Sequence, residues 1–190
     1  MTFDEQSLGK FVSRGGAKLA WALDRFNLSP AGMVCADLGA NVGGFTDCLL
    51  QRGAARVYAV DTGYGVLDYK LRKDERVVVM ERTSALHVRL PELCDLVTID
   101  LAWTPQRLSL PKAAQLIKPD GRILSLLKPQ YEAPKNLLRD GKLTPDQAQT
   151  IAHDLSTQIP TWNLTLQDQA QTPLPGRGGN QEYVLLLERE

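Results

Sequence analysis

The sequence predicts an α/β fold: a mostly parallel seven-stranded sheet with helices on both faces and an antiparallel pair of strands at the C-terminal end. Three observations carry this. β-rich runs alternate with helical patterns along most of the chain. Several runs end in a charged residue, Asp61 after RVYAV, Asp100 after LCDLVTI and Lys128 after RILSLL. The last two β-rich runs are joined by a Gly/Pro-rich loop too short to hold a crossover helix.

GGAKLAWALDRFNL, Gly15 to Leu28, spaces Leu19, Ala22, Leu23 and Phe26 along one helix face, and SPAG breaks the pattern ahead of the apolar MVCADLGA. FTDCLLQRG reads as a short helix closed by Gly53, and RVYAVD as the strand after it, completing a first strand–helix–strand unit. RVVVME and LCDLVTID supply two further strands, PQRLSLPKAAQLI a helix, PDG a turn, and RILSLLK the fifth strand. In LTPDQAQTIAHDLSTQI, Thr144 precedes Pro145, and Gln147 stands three residues after the cap. That capping box predicts a helix from about Pro145 to Gln158. WNLTLQD and EYVLLLE, flanking the loop Thr172 to Asn180, complete the sheet.

With 190 residues, 43% of them hydrophobic, the chain fits one globular domain, residues 1–190. Lys and Arg number 22, as do Asp and Glu, so no global positive field announces a nucleic acid, and any such partner must be held by local patches. Cys35, Cys48 and Cys94 are odd in number, far apart and outside any C-x-x-C pattern. They read as reduced thiols in a core, without a disulfide frame or a metal site. The start, MTFDEQSLGK, has two acids and no apolar stretch, and no run approaches the length of a membrane span. The expectation is a cytoplasmic protein; the sequence sets no oligomeric state.

Ligands of open parallel sheets bind beyond the carboxyl ends of the strands. The first strand ends in ADLGANVGGF, where Asp37, Gly39, Gly43 and Gly44 make a glycine-rich turn opening a helix, without the G-x-G-x-x-G spacing of dinucleotide sites. A carboxylate at Asp37 would repel a pyrophosphate but could reach a cationic amino group, directly or through water, which favours S-adenosylmethionine over NAD. Asp61 ends the second strand, where an acid can accept both hydroxyls of an adenosine ribose. Asp100 and Lys128 fall on neighbouring strand ends at one rim, each favouring the charged form of the other. By spacing alone, Lys18 and Glu182 read as solvated charges.

FVSRGGAKLAWAL, ADLGANVGGFTDCLLQRGAARVYAVDTGYGVLDYKLRKDERVVVMERT, LLKPQYEA and GNQEYVLLL resemble, in that order, the hemolysin A-like (TlyA) branch of the FtsJ-type RNA methyltransferases. The resemblance runs from about residue 10 to residue 187 and is most specific from Asp37 to Thr83. It implies a class I, Rossmann-like fold that uses S-adenosylmethionine to methylate a ribose 2′-hydroxyl, with ribosomal RNA or a ribosomal subunit as partner. The cofactor would lie along Asp37, Gly39, Ala40, Asn41, Gly43, Gly44, Phe45, Asp61, Thr62, Arg82, Thr83 and Asp100. A Lys-Asp-Lys-Glu tetrad falls on Lys18, Asp100, Lys128 and Glu182. In it Lys128 would handle the hydroxyl proton, Asp100 would hold Lys128, and Lys18 and Glu182 would position the ribose.

The chain departs from the resemblance at three places. Where relatives usually carry Asp, a small residue, Ser and an aromatic, this chain has Asp100, Leu101, Ala102 and Trp103, so the serine hydroxyl is lost at Ala102, and Ser84 stands where many have asparagine. Relatives usually begin with a small basic RNA-binding domain, and the resemblance here starts almost at the first residue, so the expectation is a single methyltransferase domain without it. Local clusters could compensate: Lys10, Arg14 and Lys18; Lys70, Arg72 and Lys73; Lys135, Arg139, Lys142 and Arg177. Trp103 is a candidate base-stacking or pocket residue. Other readings are a methyltransferase for another RNA or a small molecule, and a non-catalytic RNA-binding or assembly factor.

Overall fold

The computed structural model describes residues 9–190, apart from the side chain of Arg177, so that member of the third basic cluster lies outside the described residues. Arg14–Arg25 form α1, with Ala17, Leu19, Ala20, Ala22 and Leu23 buried along one face. β1 (Val34–Leu38), α2 (Gly44–Gln51) and β2 (Arg56–Val60) make the first strand–helix–strand unit. The short α3 (Tyr69–Arg72), β3 (Val77–Met80), β4 (Cys94–Ile99), α4 (Gln106–Ala114) and β5 (Ile117–Leu127) follow. The chain ends with α5 (Pro129–Glu132), α6 (Pro145–Gln158), β6 (Leu164–Gln171) and β7 (Tyr183–Arg189).

The strands form one sheet in the order β3-β2-β1-β4-β5-β7-β6. β1 to β5 are parallel, and β7 runs antiparallel between β5 and β6. This is the predicted α/β class, with the antiparallel pair at one edge.

Successive strand residues point to opposite faces, and both faces are covered. Cys35, Val57, Leu96 and Leu124 pack with Leu19, Leu23, Phe45 and Leu49 of α1 and α2. Their neighbours Ala36, Val97 and Ile123 pack with Leu110 of α4 and Ala152 and Leu155 of α6. All three cysteines are buried and free, and burial pushes the thiols of Cys48 and Cys94 up to about 12. Among the described residues, no helix is long and apolar enough to cross a membrane.

The predicted helix from Pro145 to Gln158 has those bounds, with Thr144 accepting from Gln147 N–H and the Gln147 side chain accepting from Thr144 N–H. One expectation is corrected. PDG does not separate α4 from a later strand: it is a bulge inside β5, where pairing with β4 jumps from Cys94↔Ile117 to Leu96↔Arg122. Pro129 stands just beyond the end of β5. It takes the first position of α5, where a missing N–H is harmless, and makes Lys128 the N-cap.

Candidate active site

β1 and β4 meet where the strand order reverses, and their carboxyl ends are locked by Asp100 N–H donating to Leu38 O at 3.0 Å. Beyond them open two adjoining lobes of about 410 Å³ each. Gly39, Asn41, Asp100 and Ala102 line both. One lobe continues along Asp61, Thr62, Thr83 and Ser84, the other along Lys18, Phe45, Lys128 and Pro175.

In the second lobe, charge is arranged in two pairs. Lys128 Nζ lies 2.5 Å from Asp100 Oδ1, off the angle of a hydrogen bond, and donates to Leu101 O at 3.2 Å. Lys18 Nζ donates to Glu182 Oε2 at 2.5 Å, joining α1 to the start of β7 across 164 positions of sequence. Lys18, Asp100 and Lys128 face the cleft, and Glu182 stands behind Lys18, buried. So the four tetrad positions are brought to one rim, two of them from positions that sequence spacing read as plain surface charges.

Glu132 has a defined task near this rim. Its Oε1 accepts from Gln106 N–H at 2.7 Å, so α5, which carries Lys128 as its cap, is tied to the first turn of α4, the helix that follows the Asp100 loop. Burial raises the Glu132 carboxyl above its ordinary range.

The first lobe holds half of the residues expected along the cofactor. Asp61 is oriented from two sides, its Oδ2 accepting from Asn41 N–H at 2.8 Å and its Oδ1 from Gly63 N–H at 2.7 Å. Gly39, Ala40, Asn41, Gly44, Phe45, Thr62, Thr83 and Asp100 also line the cleft. Three expected residues do not. Gly43 is turned toward Leu67 and Leu71. Arg82 is exposed, its guanidinium 4.0 Å over the Tyr64 ring.

Asp37 is the third. It has no exposed surface, because its Oδ2 accepts from both Thr46 N–H, at 2.9 Å, and the Thr46 hydroxyl, at 2.7 Å, and its Oδ1 faces the Thr98 hydroxyl. The carboxylate therefore anchors the start of α2 to β1 and cannot reach a ligand directly. Burial pushes it from 3.8 to about 7, against the opposing pull of the Thr46 hydroxyl.

The folded state thus keeps a proton that the unfolded chain loses above about pH 4, and Asp37's contribution to stability is full below that pH and lost as pH rises through 7. Asp37→Asn should then gain stability relative to wild type between pH 4 and 7 and hold the gain above it. Denaturation midpoints of both proteins across that range read this directly, and a pH-independent difference would mean that Asp37 is ionised in the fold throughout.

Sequence reasoning missed the wall supplied by the β6–β7 loop, where Pro175 lines the cleft and accepts from Arg14 Nη2 at 3.2 Å. Two members of the second basic cluster are also taken up internally, Lys70 by Asp47 and Arg72 by Glu81.

The FtsJ-like methyltransferase model matches residues 11–189. The chain belongs to that family. TlyA of Mycobacterium tuberculosis, a 16S/23S rRNA (cytidine-2′-O)-methyltransferase, is 40% identical over 188 residues, covering 95% of this chain and 69% of that protein. YqxC of Bacillus subtilis is 37% identical, covering 94% of this chain and 66% of the relative. A solved chain from Streptococcus thermophilus superposes with a TM-score of 0.91 at 34% identity, covering 95% of this chain and 67% of that one. This FtsJ-like chain therefore spans about two thirds of the length of these relatives.

The cofactor of FtsJ-like methyltransferases is S-adenosylmethionine, and two features of the cleft fit it. The Asp61 carboxylate is fixed by backbone N–H groups at the rim of the first lobe, suited to a ribose diol. At Gly39 the backbone of β1 comes so close to β4 that a Cβ would sit 2.6 Å from Asp100 O, leaving bare main chain where both lobes meet.

Proposed function

We propose that this chain methylates a ribose 2′-hydroxyl in ribosomal RNA with S-adenosylmethionine as donor. The carrying observation is the convergence of the Lys128–Asp100 and Lys18–Glu182 pairs on one lobe, which adjoins the Asp61 lobe through Gly39 and Asp100.

The cofactor supplies a methyl on a sulfonium, which departs as a neutral thioether once the methyl is transferred. A ribose hydroxyl is a weak nucleophile and must lose its proton as its oxygen attacks. In its neutral form Lys128 accepts that proton at Nζ, while Asp100 and the Leu101 carbonyl hold the amine in place. Lys18, fixed by Glu182, holds the ribose from the other wall, so that proximity and alignment provide much of the rate. Within the cofactor set, Asp61, Gly39, Asn41, Thr62 and Thr83 would hold the cofactor from the cleft wall, and Asp37 would act from beneath.

RNA is favoured over a small metabolite by Trp103. It is 81% exposed beside the cleft, holds a backbone φ of 58°, and pairs with the Tyr131 ring at 4.7 Å, which in turn lies 5.6 Å from Lys128 Nζ. A bulky residue at positive φ is strained, and such strain clusters at functional positions. A displaced base stacking there would be worth about 1–3 kcal/mol. Trp103→Ala should lower kcat/KM for RNA by about tenfold or more, with cofactor affinity unchanged in titration calorimetry.

The reading is tested by incubating the protein with methyl-labelled cofactor and ribosomal subunits from a strain lacking the gene, then digesting the RNA to nucleosides. Label in a 2′-O-methylated nucleoside is expected. Cofactor binding without label in any RNA would overturn the reading, and label in a small metabolite would move the substrate class.

A further inference from the structure

The Glu182 carboxylate is confined on both sides. One oxygen receives Lys18, and the other lies against Gly176 of the β6–β7 loop, where an added Cβ would stand 2.1 Å from Oε1 and 2.7 Å from Cδ. Gly176 has φ −66° and ψ 177°, open to any residue, so what this position requires is empty space and not a glycine backbone.

The loop has little freedom to yield. Gly176 N–H donates to Asn180 O at 2.9 Å, and Gly179 N–H donates back to Gly176 O at 3.0 Å. The buried Asn180 side chain accepts from Leu143 N–H and donates to Gly141 O, tying the loop to the Arg139–Lys142 turn. Arg14 holds Pro175 from the α1 side, and Thr172 N–H donates to Glu182 O at 2.9 Å.

We infer that Gly176 is a positioning residue: its missing side chain seats the Glu182 carboxylate and so keeps the Lys18 ammonium on the cleft wall. The inference rests on the proposed role of the tetrad. A methyl group at Gly176 must displace the carboxylate from the position in which it holds Lys18, because the loop behind it is pinned at both ends.

The test is a double-mutant cycle of Gly176→Ala and Glu182→Ala in the full chain, read by turnover, cofactor affinity and melting temperature. Gly176→Ala should lower kcat about 100-fold with cofactor affinity unchanged, since misplacement by about 1 Å has that effect. It should also lower the melting temperature by about 5 °C. Added to Glu182→Ala, it should change neither. An equal melting loss in both backgrounds, or a wild-type kcat in Gly176→Ala, overturns the inference. A wild-type kcat in Glu182→Ala instead overturns the catalytic reading of the tetrad, and the melting cycle still decides whether the seat exists.

Discussion

Lys128→Ala is expected to lose methyl transfer by about 1,000-fold while binding S-adenosylmethionine close to wild type. Proton transfer by a positioned group contributes roughly 10²- to 10⁴-fold. Lys128 is well placed for it, at the end of β5 with its Nζ 2.5 Å from Asp100 and 3.2 Å from Leu101 O. Truncation removes the proposed acceptor of the hydroxyl proton and leaves the Asp100 carboxylate without its cation. Lys128→Arg separates these two losses. A guanidinium keeps the charge beside Asp100 but does not deprotonate, so it restores pairing without restoring proton acceptance. Single-turnover rates at saturating RNA, with cofactor affinity measured in parallel, should therefore find both variants slow. Recovery of most of the rate in Lys128→Arg would show that charge alone suffices and would remove proton handling from Lys128.

What was legible in the sequence was local. The α6 boundaries follow from Thr144, Pro145 and Gln147, whose side chains and ring act within one turn of helix. The strand ends are marked by Asp61, Asp100 and Lys128, because the largely apolar, β-rich runs stop where a charge begins. Features made by distant segments were not. Lys18 and Glu182 meet across 164 positions, and only the family resemblance joined them. Glu132 caps Gln106 across 26 positions, which no spacing rule announces. The surroundings of Asp37 were hidden in a different way: an acid before a glycine turn looks the same in sequence whether it faces a ligand or, as here, the Thr46 amide and hydroxyl under the next helix. The space at Gly176 likewise depends on where the loop lays Glu182, and a glycine among several in LPGRGGN gives no sign of which one is packed.

Gly39→Ala is expected to weaken cofactor affinity by about 100-fold or more and to lower turnover further at saturating cofactor. Gly39 has φ +93° and donates its N–H to Val60 O at 2.9 Å, so the residue is held in a conformation that L side chains rarely adopt. Its Cβ would lie 2.6 Å from Asp100 O and 3.0 Å from Asp100 C, both backbone atoms that cannot rotate away. The clash must therefore part β1 from β4 at the one place where both lobes share a wall, and it carries Asp100 away from Lys128 as it does so. Positive φ alone costs an alanine roughly 1–3 kcal/mol in stability, so loss of function could arise from that strain and not from the close approach. Gly32→Ala isolates the strain, because Gly32 has φ +74° and nothing within 4 Å of an added Cβ. If the close approach matters, Gly32→Ala loses stability but keeps cofactor affinity, and Gly39→Ala loses both. Cofactor binding by folded Gly39→Ala within about threefold of wild type would show that the β1–β4 contact does not shape the cleft.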